Sequence, residues 1–135
     1  MEFLDTNIIL RYLTKDDPTK AQRCYELFQQ IKRKEIQVVT SELVLAEVVY
    51  VLASRSLYNQ PRPNIRALLL PILGLPGLKL ANRRACLRAL DLYANSSLDF
   101  EDALSVAHIE RLKITTIVSY DQDFDRVKHI HRREP

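Results

Sequence analysis

Short apolar segments alternate with longer segments of helical spacing along this 135-residue chain. Strand-like segments cover residues 1–5, 36–40 and 114–118, and a shorter extended segment covers 78–81. Such alternation favours a parallel sheet that is covered by helices on both faces and joined by right-handed crossovers. We therefore expect an α/β fold whose ligand site lies beyond the carboxyl ends of the strands.

The segments between these strands have helix signals of their own. Polar residues that cap helices precede several of them, and Pro18 stands where proline is accepted in a first turn. Apolar residues then recur every three to four positions. The predicted helices are Thr6 to Leu13, Pro18 to the basic run at Lys32, Leu43–Leu52 after Ser41, Ile65–Leu73, Asn82–Ala94, and a last one from Asp99 to about Leu112.

The composition is that of one helix-rich globular domain covering residues 1–135. Apolar residues make up 47% of the chain and there are only two glycines, which excludes a disordered chain. No apolar run is long enough to span a membrane, and the N-terminus lacks a signal pattern. Cys24 and Cys86 are isolated, which fits packing roles in a reducing cytoplasm better than a zinc motif.

Glu47 is the only charge in the apolar segment Leu43–Leu52. A helix without a polar face is expected to be buried on most sides, so Glu47 is predicted to lie in the core or at its edge. An unpaired carboxylate there would cost several kcal/mol or stay protonated. It needs an arginine, a shared proton or a metal ion as its partner.

Three further acids stand in similarly apolar surroundings. Asp5 and Asp121 each follow a strand-like segment, and Asp102 lies three residues after Asp99 at the start of the last helix. Each has a purely structural explanation. Asp99 and Asp102 suit a capping pair, Asp5 a turn and cap, and Asp121 the cap of a one-turn helix through Phe124.

The four acids together point to chemistry, because carboxylates gathered at one sheet edge would repel one another and raise one another's pKa values. A hard divalent cation relieves that repulsion, and Mg²⁺ or Mn²⁺ prefers carboxylate and water oxygens. Neither a Cys-x-x-Cys motif nor a glycine-rich phosphate loop occurs, and no Ser-His-Asp set is evident. The sequence thus predicts a metal site.

The four acids stand in four short motifs: Phe3-Leu4-Asp5-Thr6-Asn7, Leu45-Ala46-Glu47-Val48-Val49-Tyr50-Val51-Leu52, Asp99-Phe100-Glu101-Asp102-Ala103-Leu104 and Val118-Ser119-Tyr120-Asp121-Gln122-Asp123-Phe124. Together they resemble the motifs of PIN-domain ribonucleases of the VapC type, the toxins of type II toxin–antitoxin pairs. They occur in the family's order over essentially the whole chain, and each alone is weak.

The resemblance implies a PIN-like three-layer α/β/α sandwich, with a small parallel sheet flanked by helices. It carries over four acids as the catalytic metal ligands: Asp5, Glu47, Asp102 and Asp121. Supporting polar roles fall to Thr6 or Asn7, Ser119 and Asp123, and Asp99 becomes a capping or ligand-supporting acid. Many family members have threonine where this chain has Ser119, which keeps the hydroxyl.

The resemblance also implies an activity and partners. It predicts an endoribonuclease that uses Mg²⁺ or Mn²⁺ to activate a water against an RNA phosphodiester, leaving 5′-phosphate and 3′-hydroxyl ends. A cytoplasmic homodimer inhibited by an antitoxin protein is expected, with the helical pair Leu43–Leu73 as partner surface. A non-toxin PIN nuclease in RNA processing and a catalytically silent PIN module that binds RNA or protein are the alternatives.

Basic segments supply possible RNA-backbone contacts, although charge runs are usually solvated faces. The formal net charge is +3, so the surface outside an acidic site is more basic than the total indicates. The predicted contacts are Lys32, Arg33, Lys34, Arg83, Arg84, Arg132 and Arg133. His129 and His131 are interpreted as solvated or RNA-facing rather than as metal ligands.

A receiver-like phosphoacceptor domain is the rival from another class, since it also gathers aspartates at strand ends. It needs a lysine after a late strand near the acids. Ser119-Tyr120-Asp121 occupies that region of this chain, which disfavours the receiver-like interpretation.

Overall fold

A computed structural model describes all residues, Met1–Pro135, as two compact units. The first unit, Met1–Arg83, contains β1 (Glu2–Phe3), α1 (Thr6–Thr14), α2 (Pro18–Lys32), β2 (Val38–Thr40), α3 (Glu42–Ala53), α4 (Arg62–Leu73) and β3 (Leu78–Leu80). The second, Arg84–Pro135, contains nearly all of α5 (Arg83–Asn95), then α6 (Phe100–Arg111), β4 (Thr116–Val118), a 3₁₀ helix (Gln122–Arg126) and β5 (His131–Arg133).

The sheet of the first unit has three parallel strands in the order β1-β2-β3. Val38 in the central strand is in register with Glu2 on one side and Leu78 on the other. Beyond the end of β1, the Leu4 amide donates to the Val39 carbonyl at 2.8 Å, and the buried Thr40 hydroxyl donates to the Leu4 carbonyl at 2.9 Å. These bonds fix the backbone just before Asp5.

Apolar side chains from four helices make the core of the first unit. The fully buried side chains include Phe28 and Ile31 of α2, Leu52 of α3, and Ile65 and Leu69 of α4. Tyr12 of α1 stacks on Phe28, with ring centroids 4.2 Å apart. The periodicity of these residues is what predicted the helices, and burial of that face is what stabilises them.

The second unit has its own apolar core and its own sheet. Cys86, Ala89 and Leu90 of α5 are buried, and Tyr93 meets Phe100 of α6 edge to face at 6.1 Å. Strands β4 and β5 pair in parallel, with Thr116 opposite His131 and Val118 opposite Arg133 in register.

Two strand predictions are wrong in detail. β1 is not a buried strand, because Glu2 and Phe3 are exposed and only Leu4 is buried. β4 pairs with β5 in a separate two-stranded sheet rather than joining β1, β2 and β3, and Thr116 and Val118 are exposed. Short strands that are exposed can have the same apolar composition as buried strands. The composition of these segments therefore does not show whether they are buried.

No strand was predicted in the basic tail, whereas His131–Arg133 forms β5. His129 and His131 are exposed, which fits their interpretation as solvated residues. The His129 ring lies 2.9 Å from Glu110, whose carboxylate also accepts two hydrogen bonds from Arg88 at 2.9 and 3.0 Å. None of the helices combines the length and apolar character needed to cross a bilayer.

Candidate metal centre

Three carboxylates of the second unit form a tight cluster. Asp102 comes from the first turn of α6, whereas Asp121 and Asp123 come from the segment after β4. One carboxylate oxygen from each lies within 4.8 Å of the others. Such a grouping of oxygens is of the size and chemical type that a hard divalent cation accepts.

The start of α6 positions Asp102. Asp99 is the N-cap residue, and its Oδ1 accepts a hydrogen bond from the Asp102 amide at 2.9 Å. The neighbours Phe100 and Ala103 are buried, which fixes the rotation of the helix about its axis. The capping role predicted for Asp99 is therefore confirmed, and Asp102 is presented from a rigid turn.

Side-chain hydrogen bonds shape the segment that carries Asp121 and Asp123. The Ser119 hydroxyl accepts from the Asp121 amide at 2.9 Å, and Asp121 Oδ1 accepts from the Asp123 amide at 2.9 Å. Phe124 is buried and anchors the 3₁₀ helix that follows. Asp121 therefore caps this short helix, which was one of the two roles predicted for it. The Ser119 hydroxyl supports the backbone of Asp121.

Ionisation of Asp102 is unfavourable in this cluster. The pKa of Asp102 is raised from 3.8 to about 6, mainly by burial and in addition by the neighbouring carboxylates of Asp99, Asp121 and Asp123. Repulsion of this kind is what a bound cation removes. The donor set and its charge therefore fit a divalent metal ion.

The first unit holds the other two predicted acids. Asp5 occupies the N-cap position of α1, but its side chain makes no capping hydrogen bond there. Its exposed carboxylate is thus not engaged by the helix start. The Thr6 hydroxyl donates to Glu47 Oε2 at 2.5 Å, which connects α1 with α3, while the neighbouring Asn7 is exposed.

Comparison with known proteins gives the family. The PIN domain family model matches residues 3–130. The chain belongs to the PIN domain family. A solved structure of the Mycobacterium tuberculosis toxin VapC20, described as cleaving the sarcin-ricin loop, is 19% identical and covers 95% of this chain and 95% of its own, with a TM-score of 0.41. No curated protein gives a significant match.

The predicted family and the PIN-type α/β fold, with six helices and a small parallel sheet, are confirmed. The metal-binding roles of Asp5, Glu47, Asp102 and Asp121 stay predictions. Within this PIN domain, Asp102 and Asp121 share the acidic cluster with Asp123, which was predicted only as a supporting residue.

The predicted burial of Glu47 is wrong. Glu47 is exposed, and it shares one exposed face of α3 with Leu43 and Tyr50, which are each 72% exposed. Spacings of four and three residues place these side chains on one side of a helix. Leu43 and Tyr50 are apolar residues on an exposed face, so the apolar composition of α3 wrongly predicts a helix that is buried on most sides.

Some of the basic residues proposed for RNA contact bond to groups of the protein itself, whereas others are simply exposed. Arg33 pairs with Glu35 at 2.6 Å, Arg83 bonds the Leu78 carbonyl, and Arg133 donates to the Glu134 carbonyl at 3.1 Å. The residues Lys32, Lys34 and Arg84 are exposed.

Arg132 does not fit the role of an RNA contact. Its side chain is only 13% exposed, and its guanidinium bonds both oxygens of Asp125 as well as Ser119 and Glu134. Sequence reasoning missed Asp125 altogether. Its pairing with an arginine seven residues away follows from β5, which the pattern did not predict.

Proposed function

We propose that this PIN domain is a metal-dependent endoribonuclease that hydrolyses RNA phosphodiester bonds with Mg²⁺ or Mn²⁺. The observation that carries the proposal is the cluster of Asp102, Asp121 and Asp123, whose carboxylate oxygens lie within 4.8 Å of one another. The raised pKa of Asp102, about 6, supports it, because this group is poorly compensated without a cation.

Within the mechanism, the protein supplies the ligands and holds them in place. Asp102, Asp121 and Asp123 would hold the ion, while Asp99 and Ser119 fix the backbone that presents them. When bound, the ion supplies Lewis-acid activation of water and neutralises charge at the phosphodiester. The products would carry 5′-phosphate and 3′-hydroxyl ends, as the family resemblance implies.

Asp5 and Glu47 are proposed as further ligands on the same resemblance. Two features of the first unit support this. The Asp5 carboxylate makes no capping bond, and the Thr6 hydroxyl orients Glu47. A hydrogen bond from a neighbouring residue, such as that of Thr6, is the kind of support that orients a ligating carboxylate.

The biological role proposed is that of a VapC-type toxin, acting on RNA in the cytoplasm as a homodimer and inhibited by an antitoxin. We further propose that residues 1–135 form a single PIN domain. These assignments rest on the resemblance of the four motifs to toxin PIN domains. A non-toxin nuclease in RNA processing would use the same site, so the chemistry can be tested separately from the role.

The activity test is cleavage of a mixed RNA substrate with Mg²⁺ or Mn²⁺, with and without EDTA. Wild-type protein should cleave, and EDTA should abolish cleavage. Asp5→Asn should lower the rate by at least about 10–100-fold, because loss of a residue that only orients a metal ligand already costs that much. Glu2→Gln is the matched control, because Glu2 is an exposed acid three residues away and should cleave normally.

Two results would contradict the proposal. Cleavage that persists in EDTA would remove the metal dependence. Wild-type protein that binds RNA without cutting it, under all metal conditions, would favour the catalytically silent PIN module instead.

A further inference from the structure

A nearly buried arginine lies directly beside the loop that carries two of the clustered acids. Arg132 Nε and Nη2 donate to the two oxygens of Asp125 at 2.9 and 3.2 Å. Nη1 donates to the Ser119 carbonyl and to Glu134 Oε1, both at 3.0 Å. A guanidinium with partners on every side is a fixed part of the structure rather than a solvated charge.

The two loop residues that Arg132 binds stand on either side of the clustered acids. Ser119 precedes Asp121 by two residues, and Asp125 follows Asp123 by two. The backbone of β5 adds a further tie, because the Ser119 amide donates to the Arg133 carbonyl at 3.0 Å. The segment 119–125 is therefore held at both ends from one strand.

We propose that Arg132 is a positioning residue, which holds the loop 119–125 so that Asp121 and Asp123 face Asp102 in the geometry that binds metal. This inference rests on the proposed metal-dependent function. It replaces the predicted role of Arg132 as an RNA-backbone contact.

The loop 119–125 requires such a restraint because its carboxylates are repelled by Asp102. Three carboxylates within 4.8 Å repel one another, and a free loop would relax by moving Asp121 and Asp123 away from Asp102. Arg132 supplies a counter-charge through Asp125 and the Ser119 carbonyl, and its own guanidinium does not occupy Asp121 or Asp123. The exposed Arg126 makes only a looser ion pair with Asp123 Oδ1, at 3.7 Å.

The planar guanidinium is essential to this role. It reaches a bidentate carboxylate and a carbonyl at once, which a lysine ammonium on a flexible stem does not. Arg132→Lys keeps the positive charge but loses the two-ended restraint. A phosphate contact, by contrast, tolerates lysine because it depends mainly on charge.

The chain provides a matched control on the same strand. Arg133 is the next residue and is exposed, and its guanidinium donates to the Glu134 carbonyl rather than to the loop 119–125. Arg133→Gln removes the same charge without touching the restraint. Comparing the two glutamine variants therefore separates loop positioning from loss of positive charge.

The experiment measures Mn²⁺ binding by calorimetry and amide hydrogen exchange in wild-type protein, Arg132→Gln, Arg132→Lys and Arg133→Gln. Both Arg132 variants should bind Mn²⁺ about 10–100-fold more weakly, the range found when residues that orient metal ligands are removed. Arg133→Gln should bind as wild type does. In metal-free protein, the amides of Asp121 and Asp123 should exchange faster in the Arg132 variants alone.

Equal Mn²⁺ affinity and equal exchange in wild type and Arg132→Gln would overturn the inference. So would full rescue by Arg132→Lys, since charge alone would then explain the effect. If Arg132→Gln fails to fold, Asp125→Asn tests the same restraint from the loop side. Absence of Mn²⁺ binding in wild type would instead overturn the proposed function, while the exchange measurement still decides whether Arg132 holds the loop.

Discussion

The environment of Asp102 disfavours its ionised form. Its backbone amide is tied to the cap of α6, while its side chain is partly buried beside three other carboxylates. Burial and like charge both disfavour its ionised form. A cation bound at the proposed site would offset this cost.

The raised pKa of Asp102 predicts how stability depends on pH without metal. The folded protein holds this proton more tightly than the unfolded chain, with a pKa of about 6 against 3.8. The contribution of Asp102 is therefore neutral below pH 4 and becomes destabilising as the pH rises towards 6. Asp102→Asn should remove this loss and raise stability at pH 7, by on the order of 1 kcal/mol after allowance for solvent screening.

Thermal unfolding in EDTA at several pH values between 4 and 7 checks this prediction. The difference in Tm between Asp102→Asn and wild type should grow with pH over that range. A difference that stays constant, or that shrinks as the pH rises, would contradict the raised pKa.

At the scale of elements, Gly77 shows how closely the pieces of the first unit pack. It lies between α4 and β3, and its amide donates to the Ile31 carbonyl at the end of α2 at 3.1 Å. A Cβ at Gly77 would lie 2.5 Å from the Ile31 carbonyl oxygen and 2.6 Å from that of Ile36. Only glycine permits this approach of three backbone segments.

Gly77→Ala should therefore lower the free energy of unfolding by about 1–3 kcal/mol, because backbone atoms would have to move apart. Gly74→Ala is the control, since its Cβ would meet its nearest neighbour, the Leu70 carbonyl oxygen, at an ordinary 3.5 Å. Urea denaturation of both variants measures the difference. Equal stability of the two would show that the close approach is not needed.

The sequence predicted the elements that carry a local signal. Ser41 caps α3 as expected and accepts a hydrogen bond from the Val44 amide. Asp17, just before the predicted start at Pro18, caps α2 and accepts from the Lys20 amide. Helix caps and apolar periodicity are properties of neighbouring residues, so a single sequence reports them well. The order of the helices and of strands β1 to β4 followed from these signals, whereas the family followed from the resemblance of the four acid-bearing motifs.

The sequence did not predict features that depend on distant contacts. β5 consists of His131, Arg132 and Arg133, which lack any apolar pattern and become a strand only by pairing with β4. The exposure of Leu43, Glu47 and Tyr50 likewise depends on whether another element packs against this face of α3. The role of Arg132 required knowing that β5 lies beside the loop 119–125.

At the scale of the whole molecule, the distribution of charge matters more than its total. The chain carries a formal net charge of +3 although several acids gather in one cluster. The remaining surface is thus more basic than the total indicates, which suits an RNA substrate. A cation bound at the cluster would reduce the local repulsion of phosphate as well.

The central claim is that the cluster of Asp102, Asp121 and Asp123 binds a catalytic divalent metal, and Mn²⁺ calorimetry tests it most directly. Wild-type protein should bind Mn²⁺, and Asp102→Asn should weaken binding by at least about 10-fold through loss of a ligand. Glu101→Gln, a change of the neighbouring exposed acid, should leave the affinity unchanged. No binding to wild type, or equal binding to wild type and Asp102→Asn, would contradict the claim.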